Sequence, residues 1–324
     1  MLEKAIFRIA SETEFESLAL RVFQYQYEHV PVYRTFCDFL NLNKETVTGL
    51  EKIPFLPIEF FKSHQVLSEE KKAEIIFTSS GTTGSITSKH YVASVPLYEE
   101  SFLKGFQRMY GDPSNWTILA LLPSYLEREG SSLIYMVQKL MEKSGQPNNG
   151  FYLNNHEALI QKILEQEAKH QKTLLIGVSY ALLDLIEKHS FSLEHTLVME
   201  TGGMKGQRKE MVKKALHEQL KKGFGVQGIH SEYGMTELLS QAYATNNGNF
   251  QCPPWMKVLT RDPEDAFTRV YGKTGGINII DLANLYSCAF IATQDLGKTH
   301  ANGSFEILGR FDTSDIRGCN LMVL

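Results

Sequence analysis

Four short runs hold side chains suited to phosphate, metal and ribose chemistry. They are Ser79-Ser80-Gly81-Thr82-Thr83-Gly84, Thr201-Gly202-Gly203-Met204, Tyr233-Gly234-Met235-Thr236-Glu237 and Thr293-Gln294-Asp295-Leu296-Gly297, the last followed by Gly309-Arg310-Phe311-Asp312. In the first run, glycines allow close backbone approach to an anion, while successive N–H groups and hydroxyls can wrap phosphate oxygens. It is not the Walker loop, because GxxxxGK[ST] is absent. The same composition also makes ordinary turns between strands. Taken singly, a Gly-Gly pair is usually a turn, and Tyr-Gly-x-Thr-Glu reads equally well as a strand end, turn and helix cap. The order and spacing of all four runs together carry the information.

The elements around these runs decide what they can do. Ile75-Ile76-Phe77 reads as a buried strand breaking into the Ser/Thr/Gly loop, which Lys89 and His90 close. Upstream, residues 11–40 read as helical, with a capping-box start at Ser11 and Glu14 and a second helix after Pro31. Ile53-Pro54-Phe55-Leu56-Pro57 forces an extended segment. Downstream, helices over Val95–Tyr110, Ser131–Ser144, Asn155–His170, Ala181–Lys188 and Lys205–Lys222 alternate with strands over Thr117–Leu122, Thr173–Val178 and Thr196–Met199. That alternation predicts an α/β fold with a largely parallel sheet flanked by helices. Ligands in such sheets sit at the carboxyl ends of strands, where both glycine-bearing loops fall. From about residue 245, short strands near 257–260, 277–281, 289–293 and 304–308 predict a smaller, mostly β subdomain. Residues 1–309 therefore read as one compact unit, with a helical N-terminal part (1–74) and a β subdomain (245–309). Residues 310–324 are a hinge remnant and tail.

Composition excludes several classes. The 324 residues suffice for a sizeable core, and 43% hydrophobic with 22% charged residues is ordinary globular composition. A net charge of −4 and no polybasic block give no pull toward nucleic acid. No apolar run approaches the ~20 residues of a membrane span, and the N-terminus has no signal-peptide core. Cys37, Cys252, Cys288 and Cys319 form no CxxC, which fits a reducing cytoplasm and neither a disulfide frame nor a zinc knuckle.

The four runs together resemble the core motifs of the adenylate-forming superfamily of acyl-CoA synthetases and peptide-synthetase adenylation domains. The match runs from residue 75 to the end, about three quarters of the chain. The stretches 230–243 (HSEYGMTELLSQAY), 252–258 (CPPWMKV) and 315–321 (DIRGCNL) are similar more narrowly to the acyl-protein synthetase (LuxE) family. The resemblance implies an ATP-dependent ligase that activates a carboxylic acid, here a fatty acid, as acyl-AMP and releases pyrophosphate. It implies that Ser79, Ser80, Gly81, Thr82, Thr83 and Gly84 cradle the β- and γ-phosphates, and that Gly202 and Gly203 wall the adenine. Tyr233 and Gly234 would lie beside the adenine ring, Thr236 would donate to the α-phosphate, and Glu237 would hold Mg²⁺. Asp295 would accept from the ribose hydroxyls, and Arg310 would reach ribose or phosphate.

Two departures from the superfamily pattern stand out. The usual loop places a lysine six residues after its first glycine, whereas Lys89 follows Gly81 by eight. Lys89 is thus a candidate phosphate ligand or a plain surface lysine. Superfamily members also continue past the hinge for about 100 residues, a domain-sized lid, so the resemblance implies a core without that lid. The narrower family transfers its acyl group to a cysteine near the C-terminus, the place of Cys319. Nine residues from Arg310 to Cys319 reach about 30 Å when extended, and Arg317 would favour the thiolate. The alternative for Cys319 is packing with Leu321–Leu324 as a last strand. Other expected acceptors are coenzyme A and an acyl-accepting protein, such as a reductase or carrier protein. A non-catalytic nucleotide- or acyl-binding subunit is the reading from another class.

Overall fold

A computed structural model describes residues 2–80, 86–124, 127–202, 211–245, 248–265 and 267–311. The N-terminal part is helical. Ser11 caps the helix Glu12–His29 by accepting from the Glu14 amide, and Glu14 reaches back to the Ala10 amide at 2.7 Å. That reciprocal pattern satisfies donors the first helical turn leaves free. Pro31 opens the next helix, Pro31–Phe39, at a position where its missing N–H costs nothing. Three short strands follow: β1 (Leu56–Pro57), β2 (Ile75–Thr78) and β3 (Lys89–Val92). β2 and β3 pair antiparallel as a hairpin, Ile75 opposite Val92 and Thr78 opposite Lys89.

The apolar run of β2 is less buried than its composition predicts. Phe77 is fully buried, packing edge-on to Tyr98 and Tyr135, but Ile76 is 44% exposed. A two-stranded hairpin offers the core only one face, so alternate residues of even an apolar strand face outward.

The central sheet contains β4 (Thr117–Leu121), β5 (Gly150–Phe151), β6 (Thr173–Val178), β7 (Thr196–Thr201), β8 (His230–Tyr233) and β9 (Ala242–Ala244), in the order β5-β4-β6-β7-β8-β9. Only β9 runs antiparallel to its neighbour. Every residue of β4 and β6 is buried, as expected of strands covered by helices on both faces. The surrounding helices start at side-chain caps legible in the sequence: Ser94, Ser131 and Asn155 each accept from a backbone amide three residues on. Of the charged helix expected over 205–222, residues 205–210 lie outside the described residues; the described helix spans Lys213–Phe224, with Met211 and Val212 outside it. Its N-cap, Val212, makes no side-chain cap bond, so a run of charges marked its face but not its start.

The last five strands, β10 (Met256–Arg261), β11 (Arg269–Val270), β12 (Gly275–Asp281), β13 (Phe290–Thr299) and β14 (Phe305–Arg310), form a second sheet. Its order is β1-β13-β12-β10-β11, with β14 paired to the far part of β13. β1 joins parallel to β13, so the extended Pro-bounded segment becomes an edge strand. β13 runs six residues beyond the stretch expected to be extended, because the polar run 294–299 is held by ladder pairing to β14 rather than by apolar alternation. Gly297 sits at a bulge there. A Cβ at that position would lie 2.2 Å from the Glu306 carbonyl, so only glycine fits. Single bridges, Tyr243 with Gln251 and Phe250 with Phe305, tie the end of the central sheet to the second one. One contiguous cluster of buried side chains extends from Ile6 to Phe305. Among the described residues no helix is long and apolar enough to cross a membrane.

Candidate active site

β7 and β8 are parallel neighbours, so Gly202 and Gly234, just past their ends, lie at the same carboxyl edge of the sheet. Gly202 leaves β7 with φ +66°, a left-handed conformation that favours glycine, and its carbonyl accepts from Ser179 Oγ at 2.8 Å. Gly203 lies outside the described residues. Directly beneath, Glu200 is buried against Lys213 (2.9 Å) and His217 (3.4 Å). Burial opposes its charge, but His217, Lys213 and Ser231 together hold the carboxyl down to about 2. The strand end that delivers Gly202 is therefore anchored by a buried ionised group.

From β8, Tyr233 reaches across to the second sheet. Its hydroxyl donates to Asp295 Oδ2 at 2.7 Å. Arg310, opposite Asp295 in the ladder, places Nε 3.3 Å from Oδ1. Tyr233, Asp295 and Arg310, separated by 62 and 15 positions in the chain, thus meet at one place. Burial raises the Asp295 carboxyl, opposed by the Tyr233 hydrogen bond and the charges of Arg310 and Arg261. Burial pushes the Tyr233 phenol well above its ordinary range, so it remains a donor. Its ring rests against Phe250 and Phe305.

The turn after Tyr233-Gly234 carries Thr236 and Glu237. Glu237 is buried, which raises its carboxyl, while the Ser88 hydroxyl donates to it and the charges of Arg310 and Lys62 act on it favourably. Ser88 belongs to the hairpin loop, whose base is closed by Ser79: the Ser79 amide donates to the Ser88 carbonyl, and Ser79 Oγ accepts from the Ser88 amide. Glu237 therefore adjoins the phosphate-loop candidate. Of that loop Ser79 and Ser80 are described; Gly81, Thr82, Thr83 and Gly84 are outside the described residues. Lys89 is exposed on β3, opposite Thr78 at the hairpin base. Cys319 also lies outside the described residues.

Residues that sequence reasoning did not assign to the site hold this turn in place. His90, fully buried on β3, donates from Nδ1 to the Thr236 carbonyl at 2.8 Å, and its Nε2 lies 3.0 Å from Asn284 Oδ1. Asn284 in turn donates to the Glu237 and Cys288 carbonyls, both at 2.8 Å. Burial outweighs both acceptors and pulls His90 down to about 4, so the ring is neutral at pH 7. Asp281, at the end of β12, accepts from the Leu239 and Ser240 amides at 2.8 and 2.9 Å. The β2–β3 hairpin, the Thr236–Glu237 turn and the second sheet are thereby locked to one another. The only local sign was the pair Asp281 and Asn284 at the end of an apolar strand; their partners on β3 and in residues 237–240 lie far away in the chain. Among the described residues no group of three or more His, Cys, Asp or Glu could hold a metal ion.

The fold is that of the adenylate-forming enzymes. It superposes on an open conformation of 2-hydroxyisobutyryl-CoA ligase in complex with 2-HIB-AMP and CoA at a TM-score of 0.68, with 14% identical residues, covering 93% of this chain and 71% of that one. Against ATP-bound MatB from Rhodopseudomonas palustris the TM-score is 0.53 at 18% identity, over 72% of this chain and 47% of that one. Within this class the chain is similar to the acyl-protein synthetases. Residues 10–97 match the profile of the family described as "Acyl-protein synthetase, LuxE". The long-chain-fatty-acid–luciferin-component ligase of Vibrio harveyi is 24% identical over 325 aligned positions, covering 92% of this chain and 84% of that ligase. The Photorhabdus luminescens ligase of the same name is 36% identical over 70 positions, 21% of this chain and 60% of that sequence.

Proposed function

We propose that this chain is an ATP-dependent acyl ligase that activates a fatty acid as acyl-AMP and passes the acyl group to a thiol. The observation that carries this reading is the meeting of Tyr233, Asp295 and Arg310 beside the buried Glu237, at the mouth of two adjacent parallel strands. In the first step an ionised carboxylate oxygen attacks the α-phosphorus of ATP. The bond to the bridging oxygen breaks, and pyrophosphate leaves with the electron pair. No protein nucleophile is required. The protein's work is to align two anions and neutralise the charge that develops between them.

Each residue has chemistry suited to its role. Asp295 keeps lone pairs free beyond those used by Tyr233 and Arg310, so it can accept from ribose hydroxyls. Gly202 and Gly203 would leave a flat face for adenine beside Tyr233 and Gly234. Thr236 would donate to the α-phosphate, while Ser79, Ser80, Gly81, Thr82, Thr83, Gly84 and Lys89 would hold the outer phosphates. Glu237 suits Mg²⁺: its carboxylate is a hard oxygen donor, and Mg²⁺ commonly completes its shell from phosphate and water. The ion would neutralise phosphate charge.

In the second step a thiolate attacks the acyl carbonyl, the bond to the AMP oxygen breaks, and AMP leaves. We assign the thiolate to Cys319, with release afterwards to an acyl-accepting protein; coenzyme A is the competing acceptor. Three described cysteines, Cys37, Cys252 and Cys288, are unpaired, and burial raises all three thiols to about 12 or beyond, so they are poor nucleophiles. Unpaired thiols are in keeping with a cytoplasmic protein. Incubation with ATP and a radiolabelled long-chain fatty acid should leave hydroxylamine-labile label on the wild-type chain and none on Cys319→Ser. Undiminished label on Cys319→Ser would remove that cysteine as acceptor.

A further inference from the structure

The helix Lys213–Phe224 opens on a lysine with two unlike partners. On one side the Lys213 ammonium lies 2.9 Å from Glu200 Oε1, on β7 of the central sheet. On the other it stands over the Phe250 ring, 4.3 Å from the centroid. Its stem runs against Gly248, where a Cβ would lie 3.2 Å from Lys213 Cδ. Phe250 is bridged to Phe305 of β14 and stacks on its ring at 5.2 Å, so the lysine spans from the central sheet to a residue tied to the second one. The ammonium is shared between a buried carboxylate and a ring face, and partial removal from water strengthens both attractions.

Each partner leads to one wall of the candidate site. The Ser179 hydroxyl lies 3.2 Å from Glu200 Oε2 and 2.8 Å from the Gly202 carbonyl, so Glu200 is linked to the backbone of the glycine turn through one side chain. Phe250 backs the Tyr233 ring at 5.6 Å, and the Tyr233 hydroxyl reaches Asp295. Thr201 pairs with Glu232 across β7 and β8, so Gly202 and Tyr233 leave the sheet at the same level, one from each strand. Lys213 is thus joined to Gly202 through Glu200 and Ser179, and to Tyr233 through Phe250.

We infer that Lys213 is a positioning residue for the nucleoside: it fixes the spacing between Gly202 and Tyr233, the two walls between which a planar base fits. The identity of that base as adenine rests on the ligase reading. Lys213 acts through its two partners and touches neither wall's ligand-facing side in this account. His217, one turn along the helix, also lies 3.4 Å from Glu200 Oε1, so removing the Lys213 charge leaves the buried carboxylate a partner.

Calorimetric titration of the full chain with ATP and with tripolyphosphate, both with Mg²⁺, tests the role. Tripolyphosphate keeps the phosphates and lacks the nucleoside. Lys213→Met keeps an unbranched stem and removes the charge, whereas Lys213→Arg restores a cation able to pair with a carboxylate and stand over a ring. Lys214→Met, at the exposed neighbour, is the control. ATP affinity should fall about tenfold in Lys213→Met, the loss of one charge-assisted contact, and recover in Lys213→Arg. Tripolyphosphate affinity should stay at the wild-type level throughout, and Lys214→Met should match wild type with both ligands. Undiminished ATP affinity in Lys213→Met would overturn the positioning role and leave the ligase reading standing. Equal losses for the two ligands would also overturn it: a lowered melting temperature would mark general support of the fold, an unchanged one a direct phosphate contact. A wild-type chain that binds no ATP would remove the ligase reading and this assignment together.

Discussion

At the scale of residues, Asp295 is the hinge of the candidate site. It accepts from Tyr233 on one sheet and pairs with Arg310 on its neighbouring strand. The Arg310 side chain is 69% exposed, so that ion pair adds little to stability, and its position suits contact with a ligand. Asp295→Ala should therefore weaken ATP binding about ten- to hundredfold, the worth of charge-assisted hydrogen bonds, with the KM for the acid nearly unchanged. An equal rise in both KM values would indicate a collapsed site. His90 makes a second residue-scale prediction. Its folded pKa of about 4 lies below the ordinary 6.5, so as pH falls below 6.5 the unfolded chain takes up the proton first. Stability contributed by the neutral ring is complete above that pH and is lost down to about pH 4, on the order of 3 kcal/mol in all. Urea denaturation of His90→Asn should show a slope shallower by up to one proton over this window. The slope that remains includes His230, which burial also pulls down to about 4.

At the scale of elements, sequence legibility followed how local the cause was. The strand Thr173–Val178 was readable to the residue because both faces are buried and its run is continuously apolar. Helices capped at Ser11, Ser131 and Asn155 were readable because a cap is a contact three residues long. Ile76 was misjudged because exposure in a hairpin depends on how many neighbours the strand acquires. The brace from His90 to Thr236 and Asn284 spans 146 and 194 residues, and no local pattern announces it. Asp295 and Arg310 were identified by motif resemblance, while their opposition in one ladder is a product of the β13–β14 bulge. That bulge can be tested. Gly297→Ala would drive a Cβ into the Glu306 carbonyl and the Ile277 side chain, at 2.2 and 2.7 Å. It should cost about 1–3 kcal/mol in urea denaturation and weaken ATP binding by shifting Arg310 relative to Asp295. Destabilisation with full ATP affinity would separate the bulge from the site.

At the scale of the whole molecule, the candidate site is a junction. The hairpin brings Ser79 and Ser88, the central sheet brings Gly202, Tyr233 and Glu237, and the second sheet brings Asp295 and Arg310. The N-terminal helices stabilise this junction from a distance. Gln26, buried in the helix Glu12–His29, donates to the Asn284 and Leu285 carbonyls at 2.9 Å and accepts from the Ala289 amide at 3.0 Å. It thereby braces the segment that holds the Glu237 turn. Three parts of the chain converging on one carboxylate is the arrangement that a reaction between two anions needs, because neither can be positioned by charge attraction alone. The most direct measurement is acid-dependent exchange of labelled pyrophosphate into ATP, with a series of fatty acids of increasing chain length and Mg²⁺ varied. The ligase reading predicts exchange that requires both acid and Mg²⁺ and falls at least a hundredfold in Glu237→Gln, about 3 kcal/mol of transition-state stabilisation. Exchange absent with every acid while ATP still binds, or exchange indifferent to Glu237→Gln, would contradict it.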